Sequence, residues 1–190
     1  MSLKLRFVVA LLVAPLMSSA EDIKVTNGGP WGIFGERKMC PAGTYAHGFS
    51  IQVEKKRFGG DDTALNGIRL LCKHKDKDLP TDETVESPGP YGDWAVDKLC
   101  PSGRLDAFQL RVEPRRGGLD DTAANNIRFH CTDGGELEGD GLSWGSWGEW
   151  SPKCASGICG LQTKTEGKRG SADDTGLNDA IMICCSAELV

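Results

Sequence analysis

Three pairs of adjacent carboxylates are the residues of this sequence best suited to chemistry. Asp61-Asp62, Asp120-Asp121 and Asp173-Asp174 are each followed by a threonine. Two carboxyl groups flanking a glycosidic bond can cleave or transfer a sugar, standing about 5–5.5 Å apart for retention and about 6.5–9.5 Å for inversion. Neighbouring residues on an extended chain point to opposite faces, so no single pair can do this. A catalytic pair would draw on two copies, which makes Asp62, Asp121 and Asp174 the candidates and Glu54 and Glu113 the lesser options. Turn-building competes with catalysis and is the preferred reading. Asp and Thr side chains bond their own backbone two residues on, and a catalytic centre needs two acids in different surroundings, not one arrangement repeated.

Sugar rings can also be held by flat aromatic faces. Trp31, Phe34, Tyr91, Trp94, Trp144, Trp147 and Trp150 are available for this, or for filling a core. The recurrence of Trp31, Tyr91 and Trp144 in one register favours the core, where large aromatics contribute strongly. Trp150 falls outside that register and is the glycan-binding candidate. A serine nucleophile has no support, since His47, His74 and His130 stand in unrelated contexts. Nor is there an N-x-[ST] sequon for N-glycosylation.

The carboxylate pairs belong to a longer repeated unit. Residues 60–72, 119–131 and 172–184 each carry Asp-Asp-Thr, then an Asn three residues after the Thr (Asn66, Asn125, Asn178), then an apolar run into Cys72, Cys131 or Cys184. Upstream, Phe49-Ser-Ile51-Gln-Val53-Glu54 matches Phe108-Gln-Leu110-Arg-Val112-Glu113, and Leu161-Gln-Thr163-Lys-Thr165-Glu166 is a weaker third copy. Each unit opens with a Gly- or Ser-aromatic phrase before its first cysteine. Intervals of 59 and 53 residues between Asp62, Asp121 and Asp174 indicate a repeat architecture with a shared core. The units run over about 24–80, 81–138 and 139–186. Alternation in Phe49/Ile51/Val53 and Ile68/Leu70/Cys72 predicts half-buried strands, and 25 Gly and 9 Pro argue against helix.

Residues 1–20 have the order of a secretory signal peptide: Lys4 and Arg6, an apolar run from Phe7 to Met17, then Ser18-Ser19-Ala20. The run is shorter than the roughly 20 residues of a membrane span, and no second one follows. The mature chain, residues 21–190, is expected to be secreted as one domain. The leader carries two positive charges and no acid, so the net charge of −5 becomes −7 without it. An acidic chain with no basic tract is not a nucleic-acid binder.

All eight cysteines follow the leader, which points to four disulfides. Symmetry pairs Cys40–Cys72, Cys100–Cys131 and Cys154–Cys184, leaving Cys159–Cys185, although eight cysteines permit many connectivities. Each repeat bridge would close a loop worth on the order of 3–4 kcal/mol. The first four cysteines are too widely spaced for a zinc site, so no metal and no cofactor is expected.

The segments Val25–Gly32, Asp61–Leu70, Asp121–Phe129, Gly141–Trp150 and Cys159–Lys164 resemble the vitelline membrane outer layer protein 1 family, and the likeness runs from about Lys24 to Cys185. The resemblance implies an all-β fold: a β-prism of three antiparallel Greek-key sheets about a pseudo-threefold axis, one sheet per repeat. It further implies a secreted structural component of an extracellular coat, such as the egg's, with extracellular glycoproteins or oligosaccharides as partners. Two alternatives accompany it: a weak lysozyme-like transferase making N-acetylchito-oligosaccharides, and a non-catalytic lectin-like module. The third unit departs from the pattern. Ile181 stands where Arg69 and Arg128 stand in the others, and Thr163 and Thr165 replace larger apolar residues, so the three sheets cannot be equivalent.

Overall fold

The computed structural model describes residues 20–54, 64–75, 83–113, 124–166 and 176–186. The expected leader therefore lies outside the described residues, apart from Ala20. Within them every regular element is a strand: β1 (Asp22–Lys24), β2 (Ile33–Phe34), β3 (Lys38–Met39), β4 (Thr44–Val53), β5 (Leu65–His74), β6 (Glu83–Ser87), β7 (Asp93–Trp94), β8 (Lys98–Leu99), β9 (Leu105–Val112), β10 (Ala124–Cys131), β11 (Glu136–Glu138), β12 (Ser146–Trp147), β13 (Ile158–Thr165) and β14 (Leu177–Cys184).

The strands form three antiparallel sheets. The first has the order β6-β5-β4-β7, with β8 also paired to β4; the second has β11-β10-β9-β12; the third has β1-β14-β13-β2, with β3 also paired to β13. In the first two, three successive strands are joined by a fourth that returns beside the first, which is the Greek-key order. The third sheet has the same pattern, but the chain break falls within it. Its hairpin comes from the C-terminal unit and its outer strands from the N-terminal unit.

The expectation of one sheet per repeat is thereby corrected. Each long hairpin belongs to one unit, and the strands on its β4, β9 or β13 side come from the next. The phrase that opens a unit hydrogen-bonds to the preceding hairpin, and the first phrase closes onto the last hairpin. Ile23, paired with Met182 and 1% exposed, anchors that closure. Glycines make these approaches possible. Gly32, Gly92 and Gly145 have φ of +83°, +85° and +75°. A Cβ at these positions would stand 2.3, 2.3 and 2.2 Å from backbone atoms of Thr165, Val53 and Val112, so only glycine fits without a clash.

The inner faces of the sheets meet in one apolar core that includes Phe49, Ile51, Leu70, Phe108, Ile127, Phe129, Leu161 and Met182. Phe129 lies with its ring centroid 4.6 Å from Phe49 and 6.1 Å from Phe108. The third sheet presents Leu161 and Met182 instead of aromatics. The expectation that the opening-phrase aromatics fill the core is overturned. Trp31 and Trp144 are exposed, and Phe34, Tyr91, Trp94 and Trp147 are half-buried. They ride on or beside the short strands at the sheet edges, while the phenylalanines of the long strands occupy the axis.

Three bridges join the sheets: Cys40–Cys72, Cys100–Cys131 and Cys154–Cys184. Cys40, Cys100 and Cys154 each donate a backbone hydrogen bond to one sheet, at Cys159 O (2.7 Å), His47 O (2.9 Å) and Asp106 O (2.8 Å). Each sulfur then reaches the β5, β10 or β14 strand of the next sheet. The three links run third to first, first to second and second to third, closing a covalent ring. The fourth bridge, Cys159–Cys185, lies within the third sheet. These are the pairs that the repeat symmetry picked out.

The acceptors His47, Asp106 and Cys159 are equivalent residues. At each, the ladder register skips one position, forming a β-bulge. A second bulge in each hairpin falls on Asn66, Asn125 or Asn178, the recurring asparagines, all fully buried. A weaker set of contacts joins the sheets at Asn27, Ser87 and Asp140. Asn27 Nδ2 donates to Leu110 O at 2.9 Å, the Ser87 hydroxyl meets that of Thr163, and Lys98 donates to Asp140 at 2.9 Å.

Two titratable groups bear on stability. Asp179 lies under the N-terminal segment; a Cβ on Gly28 would stand 2.2 Å from its carboxyl carbon. Burial raises its pKa, against the opposing effects of the Ala180 N–H and of Lys164 and Lys24. The native state thus binds more protons than the unfolded chain from 3.8 up to the raised value, so stability falls as pH rises through that window. The second unit has Asn126 at this position, accepting from the Ile127 N–H as Asp179 accepts from Ala180. Asp179→Asn should raise the melting temperature at pH 7 by a few degrees and lose that advantage below pH 3.8, as checked by calorimetry.

His47 shows the opposite sign. Burial lowers its pKa below 6.5, only partly offset by the bond to Leu71 O, and Lys73 lowers it further. The unfolded chain then binds the extra proton first. Stability should fall as pH drops below 6.5 toward the lowered value, and His47→Gln should flatten that part of the stability curve in urea titrations.

Candidate functional site

The carboxylates proposed for catalysis, Asp62, Asp121 and Asp174, lie outside the described residues. The lesser candidates Glu54 and Glu113 follow β4 and β9 and belong to different sheets. Polar and aromatic groups converge elsewhere, on the outer face of the second sheet.

That face follows from strand alternation. On β10, Ile127, Phe129 and Cys131 point inward, so Arg128 and His130 point out. Gln109 pairs with Arg128 across the ladder, and Trp147 on β12 pairs with Arg111 on β9. The Arg128 guanidinium lies 4.8 Å from the ring centroid of Trp147 and 5.2 Å from that of Trp150. Its Nε donates to Gln109 Oε1, and its Nη1 lies 3.7 Å from the Glu136 carboxylate. Arg111 lies 5.8 Å from the Trp147 ring and donates to the carbonyls of Trp144 and Gly145 at 3.2 Å. Guanidinium groups and indoles thus alternate in a layered row. The layers are attractive because the negative face of an indole draws a cation.

A polar group closes one end of the row. His130 meets Trp150 edge-on, with centroids 6.0 Å apart and planes at 85°. Its Nδ1 is 2.6 Å from Asp106 Oδ1, and Lys153 Nζ lies 3.6 Å from the other carboxylate oxygen. The Asp–His pair resembles two members of a hydrolytic triad. No nucleophile completes it among the described residues: Nε2 of His130 faces Lys153 Nζ at 3.3 Å. The arrangement presents flat aromatic surface with hydrogen-bond donors beside it, which suits binding of a polar ring.

The other sheets carry reduced versions. Arg69 lies 4.1 Å from the Trp94 ring centroid, with Glu86 at 2.6 Å from its Nε, and Lys164 lies 5.8 Å from that of Phe34. The second sheet adds a second indole against its arginine, and that is Trp150, the residue singled out as lying outside the repeat register. The sequence reading missed its partners. Arg128 and His130 were legible from the alternation of β10. Asp106 was not, because the bulge reverses its parity: Asp106, Phe108 and Leu110 share one parity along the chain, yet Asp106 contacts His130 on the outer face while the other two lie in the core.

The family model for vitelline membrane outer layer protein I matches residues 21–187. The chain belongs to that family. It is 53% identical over 166 residues to the human vitelline membrane outer layer protein 1 homolog, covering 86% of this chain and 82% of the relative. Against the mouse homolog the identity is 49% over 170 residues, covering 88% and 85%. Solved structures share the fold of this family member. Calystegia sepium agglutinin matches with a TM-score of 0.54 at 13% identity, covering 88% of this chain and 97% of that one. Artocarpin, in a complex with mannotriose, matches at 0.52 and 14%, covering 87% and 97%. A mannose-binding jacalin-related lectin from Ananas comosus matches at 0.53 and 12%, covering 87% and 97%. At such identities the likeness concerns the fold alone, and that fold is the β-prism.

Arg128 is the member of the row that touches both indoles. Arg128→Leu keeps the bulk and removes the charge, and two contacts of this kind are worth about 1–2 kcal/mol together at an exposed site. Urea unfolding should show a loss of that size, and acrylamide should quench tryptophan fluorescence more strongly.

Proposed function

We propose that this protein is a secreted, rigid component of an extracellular coat that holds oligosaccharides or glycoproteins on the outer face of its second sheet. On this reading residues 1–20 are the leader, residues 21–190 are one domain, and no turnover is required. The observation that carries it is the Trp147–Arg128–Trp150 layer with His130 beside it, on a body whose sheets are joined covalently. Aromatic faces stack on the apolar side of a sugar ring while neighbouring polar groups fix its hydroxyls, the usual composition of small-ligand sites. Family membership supports the coat role, since its curated relatives are named for the outer layer of the vitelline membrane. The mannotriose bound by artocarpin, a fold neighbour, supports the choice of ligand class.

Titrating the pure protein with N-acetylglucosamine oligomers and a glycan array, with tryptophan fluorescence as readout, tests the proposal. Binding should appear for at least one glycan class, and Trp150→Ala should weaken it about tenfold, equivalent to roughly 1.4 kcal/mol. Absence of any glycan hit would sink the reading. Oligomers longer or shorter than those supplied, lost in Asp62→Asn, Asp121→Asn or Asp174→Asn, would replace it with a transferase.

A further inference from the structure

The third unit contains a spacing that the glycan-binding reading leaves unexplained. Trp144, Trp147 and Trp150 recur at every third residue. Of the five tryptophans in the chain, only Trp144 and Trp147 have another tryptophan three residues ahead; Phe34 follows Trp31 at that distance and Asp97 follows Trp94. Trp-x-x-Trp is the general acceptor sequence for attachment of mannose to tryptophan carbon in the secretory pathway, and here two copies overlap. We propose that Trp144 is a C-mannosylation site and that Trp147 is a second.

The chemistry needs no group from this protein except the indole. The C2 carbon supplies an electron pair to the anomeric carbon of a mannose carried on a polyprenyl phosphate. The bond from that carbon to the phosphate oxygen breaks, and its pair leaves on the phosphate. Loss of the C2 proton restores the aromatic ring. One carbon–carbon bond has formed, and nothing is oxidised or reduced. The donor and its transferase are those of the endoplasmic reticulum lumen, so the proposal shares the secretory part of the functional reading but not its binding part.

The folded structure has room for the product. Trp144 is 47% exposed, so a hexose at the edge of its ring enters solvent and displaces no core. Its backbone carbonyl accepts a hydrogen bond from Arg111 Nε at 3.2 Å. Substitution at C2 leaves the indole faces intact, so the contacts of Trp147 with Arg111 and Arg128 are compatible with modification. The equivalents Trp31 and Tyr91 lack the sequence and act as controls within the same chain.

The test is mass spectrometry of the full chain secreted by mammalian cells. The tryptic peptide Phe129–Lys153 should carry one or two hexoses, with the cross-ring fragmentation of a carbon-linked sugar locating them on Trp144 and Trp147. Peptides containing Trp31 and Trp94 should be unmodified. Trp150→Phe should remove the hexose from Trp147 and spare Trp144, whereas Trp147→Phe should leave neither position modified. Cells lacking the tryptophan mannosyltransferase should secrete the bare peptide. The proposal is overturned by an unmodified Trp144 from cells that modify a thrombospondin-repeat control, by a hexose located on Ser143 or Ser146, or by modification that persists without the transferase. Glycan binding by the same protein is read separately, so either idea can fail alone.

Discussion

The structure depends on a repeated coupling between a backbone hydrogen bond and a disulfide. Cys40, Cys100 and Cys154 each give their N–H to the carbonyl of a bulged residue in one sheet and their sulfur to a strand of the next. The hydrogen bond fixes where the cysteine sits on the first sheet, and the sulfur then fixes the second sheet relative to it. Because the three links close a ring, no sheet can swing out without breaking either a covalent bond or the core. Each loop is worth on the order of 3–4 kcal/mol in the chain-entropy account, a large fraction of the roughly 5–15 kcal/mol that holds an ordinary domain.

This coupling explains why the bulged positions can differ so much. Only the carbonyl of His47, Asp106 or Cys159 is needed for the ring, so the side chain is left to other uses. His47 bonds back to Leu71 O, Asp106 holds His130, and Cys159 makes the fourth bridge with Cys185. A similar division runs through the whole prism. The buried asparagines and the close-approach glycines repeat three times because backbone geometry repeats. The outward residues do not: Arg69 and Arg128 have Ile181 as their third counterpart, and among the described residues the third sheet has only Lys164 over Phe34.

What was legible in the sequence follows the same line. Strand alternation exposed the hairpins, the cysteine spacing exposed the bridges, and three copies of one unit gave three sheets. The exchange of edge strands between units was invisible, because a two-residue strand such as Ile33–Phe34 has no periodicity of its own. The aromatics misled for a related reason. Recurrence in register shows that a residue solves a repeated problem, but Trp31, Tyr91 and Trp144 solve it beside the sheet edge, while Phe49, Phe108 and Phe129 fill the axis. Asp106 was hidden by its bulge, since a single extra residue turns a side chain from the inner face to the outer one.

The relative sizes of these interactions bear on what the outer row of the second sheet is for. A cation over an exposed indole contributes about 0.5–1 kcal/mol, small beside one ring-closing bridge. Among the described residues the first sheet has Arg69 over Trp94 and Arg104 over Tyr45, and the third has Lys164 over Phe34, each a cation against one ring. The fold therefore does not require Trp150, nor the placement of His130, Asp106 and Lys153 around it. A partly exposed indole set beside organised polar groups has a cost in solvation and a small return in stability, which makes surface recognition the better account of its presence. Rigidity works in the same direction. A face whose side chains are already held by Gln109, Glu136 and Asp106 loses less conformational freedom on meeting a ligand, so more of the contact energy appears as affinity.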